Sequence, residues 1–138
     1  MADIELALLF DRFMRKIHFA LQAKAHEFDR EDVGPLGGIV LLTLEELGCV
    51  RMQDLTDRMA RDKSQMTRTI RSLETKGLVK RDASSMDARV SMVSLTQEGD
   101  GVVEDLKHVL GETIDELLAR LDEPEKQMLK GLLNNALG

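Results

Sequence analysis

Apolar side chains recur at three- and four-residue steps from residue 3 to residue 28 (Ile4, Leu8, Phe10, Phe13, Ile17, Leu21, Phe28), with charges between them. That spacing lays one apolar face along a helix, so the chain is predicted to open with a single long amphipathic helix. The stretch FDREDVG, Phe28 to Gly34, interrupts the pattern with charges and a glycine, and Pro35 suits the first turn of a second helix running to about Leu47, with Gly48 as its stop. A short helix from about Met52 to Ala60 carries Met52, Leu55 and Met59 on one face. A further helix from Lys63 to Lys76 carries Met66, Ile70 and Leu73 on one face. The few residues between them predict a tight turn joining two helices.

The period then changes. Leu78 and Val79 lead into Lys80, Arg81 and Asp82, a polar stretch runs from Ala83 to Asp87, and Val90, Met92, Val93 and Leu95 approximate alternation with serines, which predicts a two-stranded hairpin. Thr96, Glu98 and Gly99 read as a helix start, followed by a second long stripe at Val103, Leu106, Leu110, Ile114, Leu117 and Leu121. Asp122 with Glu125 three positions on is a capping-box arrangement, and it opens a last helix with Met128, Leu129, Leu132, Leu133 and Leu137. The fold class expected is mainly α with a small β-hairpin.

Composition narrows the possibilities. A length of 138 residues favours one domain, and 43% hydrophobic residues beside 32% charged ones describe a chain that folds rather than a disordered one. The longest uncharged run, Val33 to Leu44, contains a proline and falls well short of the roughly 20 apolar residues of a membrane helix. The opening MADIELALLFDRF is acidic where a secretory signal is basic, so a cytoplasmic location is expected. A single cysteine, Cys49, makes no internal disulfide and is read as a buried structural thiol. The absence of Trp and Tyr argues against a sugar cleft or a base-stacking platform.

No Gly-rich phosphate loop, His-Glu-x-x-His or Cys-x-x-Cys is found, so neither an enzyme nor a cofactor is expected. His18 and His26 stand eight apart on the first helix with Gln22 midway, and His108 falls on the fifth. These are read as partly solvated side chains, with no metal site expected.

Charge is distributed unevenly. Between Arg58 and Arg89 lie nine basic and four acidic residues, a balance of +5, leaving ten basic and 21 acidic residues elsewhere, a balance of -11. A basic island in an acidic chain attracts a polyanion to one face, and this island coincides with the two short helices and the hairpin. With Met66, Ile70 and Leu73 turned inward, Ser64, Arg68, Arg71 and Thr75 fall on the opposite face of their helix, flanked by Gln65, Thr67 and Ser72. Such side chains can read base edges in the major groove, although an ordinary solvated face has the same composition. In the hairpin, Arg89 suits the negative potential of a narrow minor groove, with Asp87 placed to hold its guanidinium; a plain surface salt bridge is the alternative.

The stretch DLTDRMARDKSQMTRTIRSLETKGLVKRDASSMDARVSMVSLTQEG, Asp54 to Gly99, resembles the MarR family of winged-helix transcriptional regulators. The likeness runs through a helix-turn-helix, a recognition helix, the strand GLVKR, a wing with Asp87 and Arg89, and the closing LTQEG. It implies a winged helix-turn-helix lobe over about residues 35–98 and dimerisation helices over about 1–30 and 99–138, within one domain spanning 1–138. It also implies a cytoplasmic homodimer on a pseudo-palindromic double-stranded operator, acting as a repressor released by a small-molecule effector. The DNA-binding candidates are Lys63, Ser64, Gln65, Thr67, Arg68, Arg71, Lys80, Arg81, Asp87 and Arg89. Arg15, His18 and Gln22 are candidates for an effector pocket, and a solvated helix face accounts for them equally well. Gly37 and Gly38 interrupt the second helix, either for a close approach or as tolerated glycines. A winged helix used only to bind another protein is the competing reading.

Overall fold

The apolar periodicities are realised as six helices and three strands in the computed structural model, which describes residues 1–29 and 31–138 and, at Phe28, the backbone alone. In chain order these are α1 (Ile4–Phe28), α2 (Gly34–Leu47), β1 (Val50–Arg51), α3 (Met52–Met59), α4 (Lys63–Thr75), β2 (Val79–Ala83), β3 (Ser91–Leu95), α5 (Gln97–Leu117) and α6 (Glu123–Leu137). Two parts of the sequence reading, the Phe28 side chain in the first stripe and Arg30 in the first connection, lie outside the described residues.

Short polar side chains set most of the boundaries. Before α2, the Asp29 carboxylate accepts the main-chain N–H of Val33 at 2.8 Å and of Gly34 at 3.0 Å, and Pro35 follows in the first turn. Gly48 ends α2 at φ +76°, a conformation that a side chain resists. Asp62 accepts the N–H of Gln65 at 3.3 Å to open α4. Thr96 accepts the N–H of Gly99 at 3.1 Å while its hydroxyl donates to the Gly77 carbonyl at 2.5 Å, which joins the start of α5 to the turn before β2. At α6 the capping box is complete: Asp122 accepts from Glu125 N–H at 2.9 Å and Glu125 accepts from Asp122 N–H at 3.0 Å.

The expected hairpin is present as β2 and β3, and β1 adds a third strand that the sequence reading did not include. The sheet order is β1-β3-β2, antiparallel throughout, with Val50 opposite Val93 and Arg51 opposite Met92. Two residues are too few to show an alternation, so β1 leaves no periodic signal. Two corrections concern α5 and Cys49. The fifth helix stops at Leu117, short of Leu121, and the chain turns through residues 118–121 before the α6 cap. Cys49 is exposed rather than buried, because it follows Gly48 in the corner between α2 and β1.

The chain forms two compact units, His26–Lys107 and Met1–Ala25 with His108–Gly138. The first holds the buried core: Val40, Leu41 and Leu44 of α2, Leu55 of α3, Met66, Ile70 and Leu73 of α4, Leu78, Val79 and Val93 of the sheet region, and Val103 of α5. Gly37 is buried in it, where a Cβ would lie 2.6 Å from Cγ1 of Val33, and at Gly38 a Cβ would meet the Leu106 side chain at 3.3 Å. Both glycines therefore serve close packing. Lys107 donates to the Glu45 carboxylate, which holds the lysine above its ordinary range.

In the second unit the buried Thr113 hydroxyl donates to the Val109 carbonyl at 2.7 Å and accepts from Lys24 at 3.3 Å, and Lys24 also pairs with Glu116 at 3.1 Å. Ile4, Leu8, Leu9, Phe10, Met14 and Phe19 of α1 are exposed, as are Met128, Leu132, Leu133 and Leu137 of α6.

Candidate nucleic-acid interface

The α4 helix is built to show one face. Met66, Ile70 and Leu73 are buried at steps of four and three residues, which turns Ser64, Arg68, Arg71, Ser72 and Thr75 to solvent and leaves Gln65 and Thr67 half-buried on the flanks. Thr67 donates its hydroxyl to the Lys63 carbonyl at 2.9 Å and Thr75 to Arg71 at 2.9 Å, so both keep only acceptor capacity facing outward. Lys63 is exposed in the first turn. The turn between α3 and α4 passes through Ala60 in the left-handed region at φ +51°. That conformation costs a non-glycine residue about 1 kcal/mol, and its main-chain N–H is held by the Asp57 carbonyl at 3.2 Å.

The hairpin brings a second set of groups forward. Its ladder runs from Val79 opposite Leu95 to Ala83 opposite Ser91, and the Ser84 N–H donates to the Val90 carbonyl at 2.8 Å to close the tip. Within the tip, the Ser84 hydroxyl oxygen accepts the Met86 N–H at 3.1 Å. Asp87 Oδ1 accepts both the Arg89 N–H at 3.0 Å and its Nε at 3.2 Å, and Asp87 Oδ2 accepts from the guanidinium at 3.4 Å. The carboxylate lies below its usual range because the main-chain N–H of Arg89, then the Arg89 guanidinium, and more distantly Arg51 all favour the ionised form. The Arg89 side chain stays 90% exposed. It is oriented by the bidentate contact and still open to an anion.

The basic island divides once partners are located. Arg58 pairs with Glu46 at 3.4 Å, Arg81 with Glu74 at 3.1 Å, and Lys76 donates to the Asp32 carbonyl at 2.8 Å. Among the described residues of the island, Arg61, Lys63, Arg68, Arg71 and Lys80 enter no ion pair and all five are exposed. The free cations thus lie in the turn before α4, along α4 itself and on the strand that feeds the wing. Sequence reasoning missed Glu74 as the partner of Arg81 and Arg51 as a neighbour of Asp87, because neither pairing leaves a periodic trace.

Arg15, His18 and Gln22 lie on one face of α1, where with Met14, Phe19 and Ala23 they line an open groove. Among the described residues no group of three His, Cys, Asp or Glu side chains is arranged for a metal ion, and no helix is long and apolar enough to cross a membrane.

A helix-turn-helix followed by a clamped β-hairpin is the winged-helix arrangement, and the sequence profile of the MarR family matches residues 39–91. Over that segment the chain is similar to the MarR family. The likeness extends to the helices outside the matched segment. The transcriptional regulator MhqR of Bacillus subtilis is 27% identical over 131 residues, covering 95% of this chain and 88% of MhqR. The transcriptional repressor MdtR of the same organism is 30% identical over 102 residues, which are 72% of this chain and 61% of MdtR. Wild-type MarR of E. coli superposes with a TM-score of 0.79 at 23% identity, covering 100% of this chain and 98% of that one. A mutant of that MarR, complexed with operator DNA, superposes with a TM-score of 0.71 at 23% identity, covering 99% of this chain and 100% of that one.

Proposed function

We propose that this chain is a transcriptional regulator of the MarR type that binds a pseudo-palindromic double-stranded operator as a homodimer, with α4 in the major groove and the β2–β3 wing at the adjacent minor groove. The observation that carries this reading is the arrangement of cations. Arg68 and Arg71 stand on the solvent face of α4, and Arg89 stands at the wing tip, in a chain whose remaining charge is negative. Lys63, Ser64, Gln65 and Thr67 border the same face and Lys80 lies on the wing strand, so they complete the contact set; Arg81 contributes through Glu74. The operator complex of E. coli MarR supports the mode of binding, and MdtR supports repression.

The exposed apolar side chains of α1 and α6 favour a second copy of the chain as their cover, since such a surface is costly to leave in water. A two-fold dimer then accounts for a two-fold operator. The α1 groove at Arg15, His18 and Gln22 has the mixed apolar and polar lining that suits a small-molecule effector. A regulator of this kind works without a catalytic step, a cofactor or a metal, in the compartment that holds the chromosome, the cytoplasm.

Selection of bound sequences from a random DNA pool, followed by anisotropy titrations over a range of salt, tests the reading. The expected result is a two-fold symmetric site and a log K that falls steeply with log salt as counterions are released. A flat salt response, or no sequence enriched, would replace it with a winged helix that binds only protein.

A further inference from the structure

Arg81 belongs to the basic island by sequence, yet it sits differently from its neighbour Lys80. Along β2, Val79 and Arg81 share one side of the strand and Lys80 and Asp82 the other. Val79 is buried and Arg81 half-buried, whereas Lys80 and Asp82 are exposed. Across the ladder Arg81 is opposite Val93, which is fully buried. The guanidinium reaches from there to Glu74 at 3.1 Å, with the two side chains 30% and 36% exposed. Glu74 lies in the last turn of α4, where a cation also complements the carbonyl end of the helix. One half-buried ion pair therefore ties the end of the helix bearing Arg68 and Arg71 to the strand leading to Arg89.

We propose that Glu74 and Arg81 are positioning residues for DNA recognition, fixing the wing relative to α4 so that the two engage neighbouring grooves together. This rests on the operator-binding reading above. A wing free to swing must be ordered when it binds, whereas one already fastened meets the minor groove at high effective concentration once α4 is seated. Asp87 orients the Arg89 side chain within the tip, and the Glu74–Arg81 pair orients the hairpin that carries the tip.

The test uses the sign of an effect. If Arg81 is instead a phosphate contact, Glu74 competes with DNA for it, and Glu74→Gln strengthens binding while Arg81→Gln lowers the salt slope by about one. If the pair positions the wing, Glu74→Gln weakens operator binding by about tenfold, as expected when a tethered contact loses its preorganisation. Hydroxyl-radical footprinting then shows loss of the minor-groove protection that Arg89→Ala also removes. Guanine N7 protection under α4 is retained, and the charge-swapped double variant Glu74→Arg with Arg81→Glu restores the wing footprint. Binding by Glu74→Gln as tight as wild type or tighter, equal loss of helix and wing protection, or a swap that restores nothing would each overturn the proposal. Wild-type chain that protects no operator at all removes the DNA-binding reading itself and the proposal with it, a result distinguishable from the others in the first lane.

Discussion

The carbonyl oxygen of Leu78 occupies the space into which a Cβ on residue 99 would project, and Gly99 is buried against it at the start of α5. The same peptide oxygen accepts the Thr96 N–H at 3.1 Å, so it has little freedom to withdraw.

Gly99→Ala should therefore destabilise the fold although alanine is the better helix former. The helix preference is worth up to about 1 kcal/mol in favour of alanine. Forcing a methyl against main chain costs about 1–3 kcal/mol and wins. Urea denaturation should show a lower midpoint. A midpoint equal to or above wild type would mean that Leu78 moves aside freely.

Arg89→Ala should weaken operator binding by at least about tenfold, roughly 1.4 kcal/mol. Its effect on folding should stay within about 0.5 kcal/mol, because the side chain is 90% exposed. Asp87→Ala removes the orienting carboxylate and keeps the cation, so its loss of affinity should be the smaller of the two. Anisotropy on one operator duplex beside a thermal melt checks both, and unchanged affinity for Arg89→Ala would exclude the wing tip from recognition.

The Asp87–Arg89 clamp should be insensitive to pH across the neutral range. Asp87 is held below the ordinary aspartate range by the Arg89 N–H and guanidinium. A depressed carboxylate contributes its order above the unfolded value and loses it only as pH falls through the lower folded value. Carbon-13 NMR of the Asp87 carboxyl should thus give a midpoint below that of a free aspartate, rising toward the free value in Arg89→Ala. A neutral-range titration in the wild type would contradict the clamp.

Base reading and phosphate contact should separate between α4 and β2. Loss of Arg68 should relax preference at one position in each half-site, at about 1–3 kcal/mol, while loss of Lys80 should weaken binding on all sequences and reduce the salt slope by about one. Binding measured on a panel of single-base variants at two salt concentrations distinguishes the two patterns.

Asp122→Ala removes one half of the α6 capping box and should cost about 1 kcal/mol, with Asp122→Ser recovering much of it. Thermal unfolding followed by circular dichroism reads this directly; a neutral Asp122→Ala would show that α6 is held by other contacts.

Helix positions were legible because their signals are local. Asp122, Pro124 and Glu125 stand within four residues, Gly48 marks a stop by its own conformational freedom, and the burial of Met66, Ile70 and Leu73 follows from their spacing alone. The solvent face of α4 followed from the same periodicity. The third strand did not, since the pairing of Val50 with Val93 joins residues far apart in sequence through only two positions. Exposure of Cys49 depended on the direction the chain takes after Gly48, which composition does not encode. The bond between Glu74 and Arg81 spans the Gly77 turn, and from sequence alone Arg81 is indistinguishable from Lys80, its exposed neighbour.

The carboxylate of Asp62 at the head of α4 carries a consequence of its own. The positive end of a helix commonly attracts phosphate, but here an anion belonging to the chain already accepts the Gln65 N–H. A DNA strand nearing that end meets a like charge. Attraction is left to the side chains along the helix flank, so replacing Asp62 by serine, which keeps the cap and removes the charge, would raise affinity for phosphate on every sequence alike and make the protein less choosy.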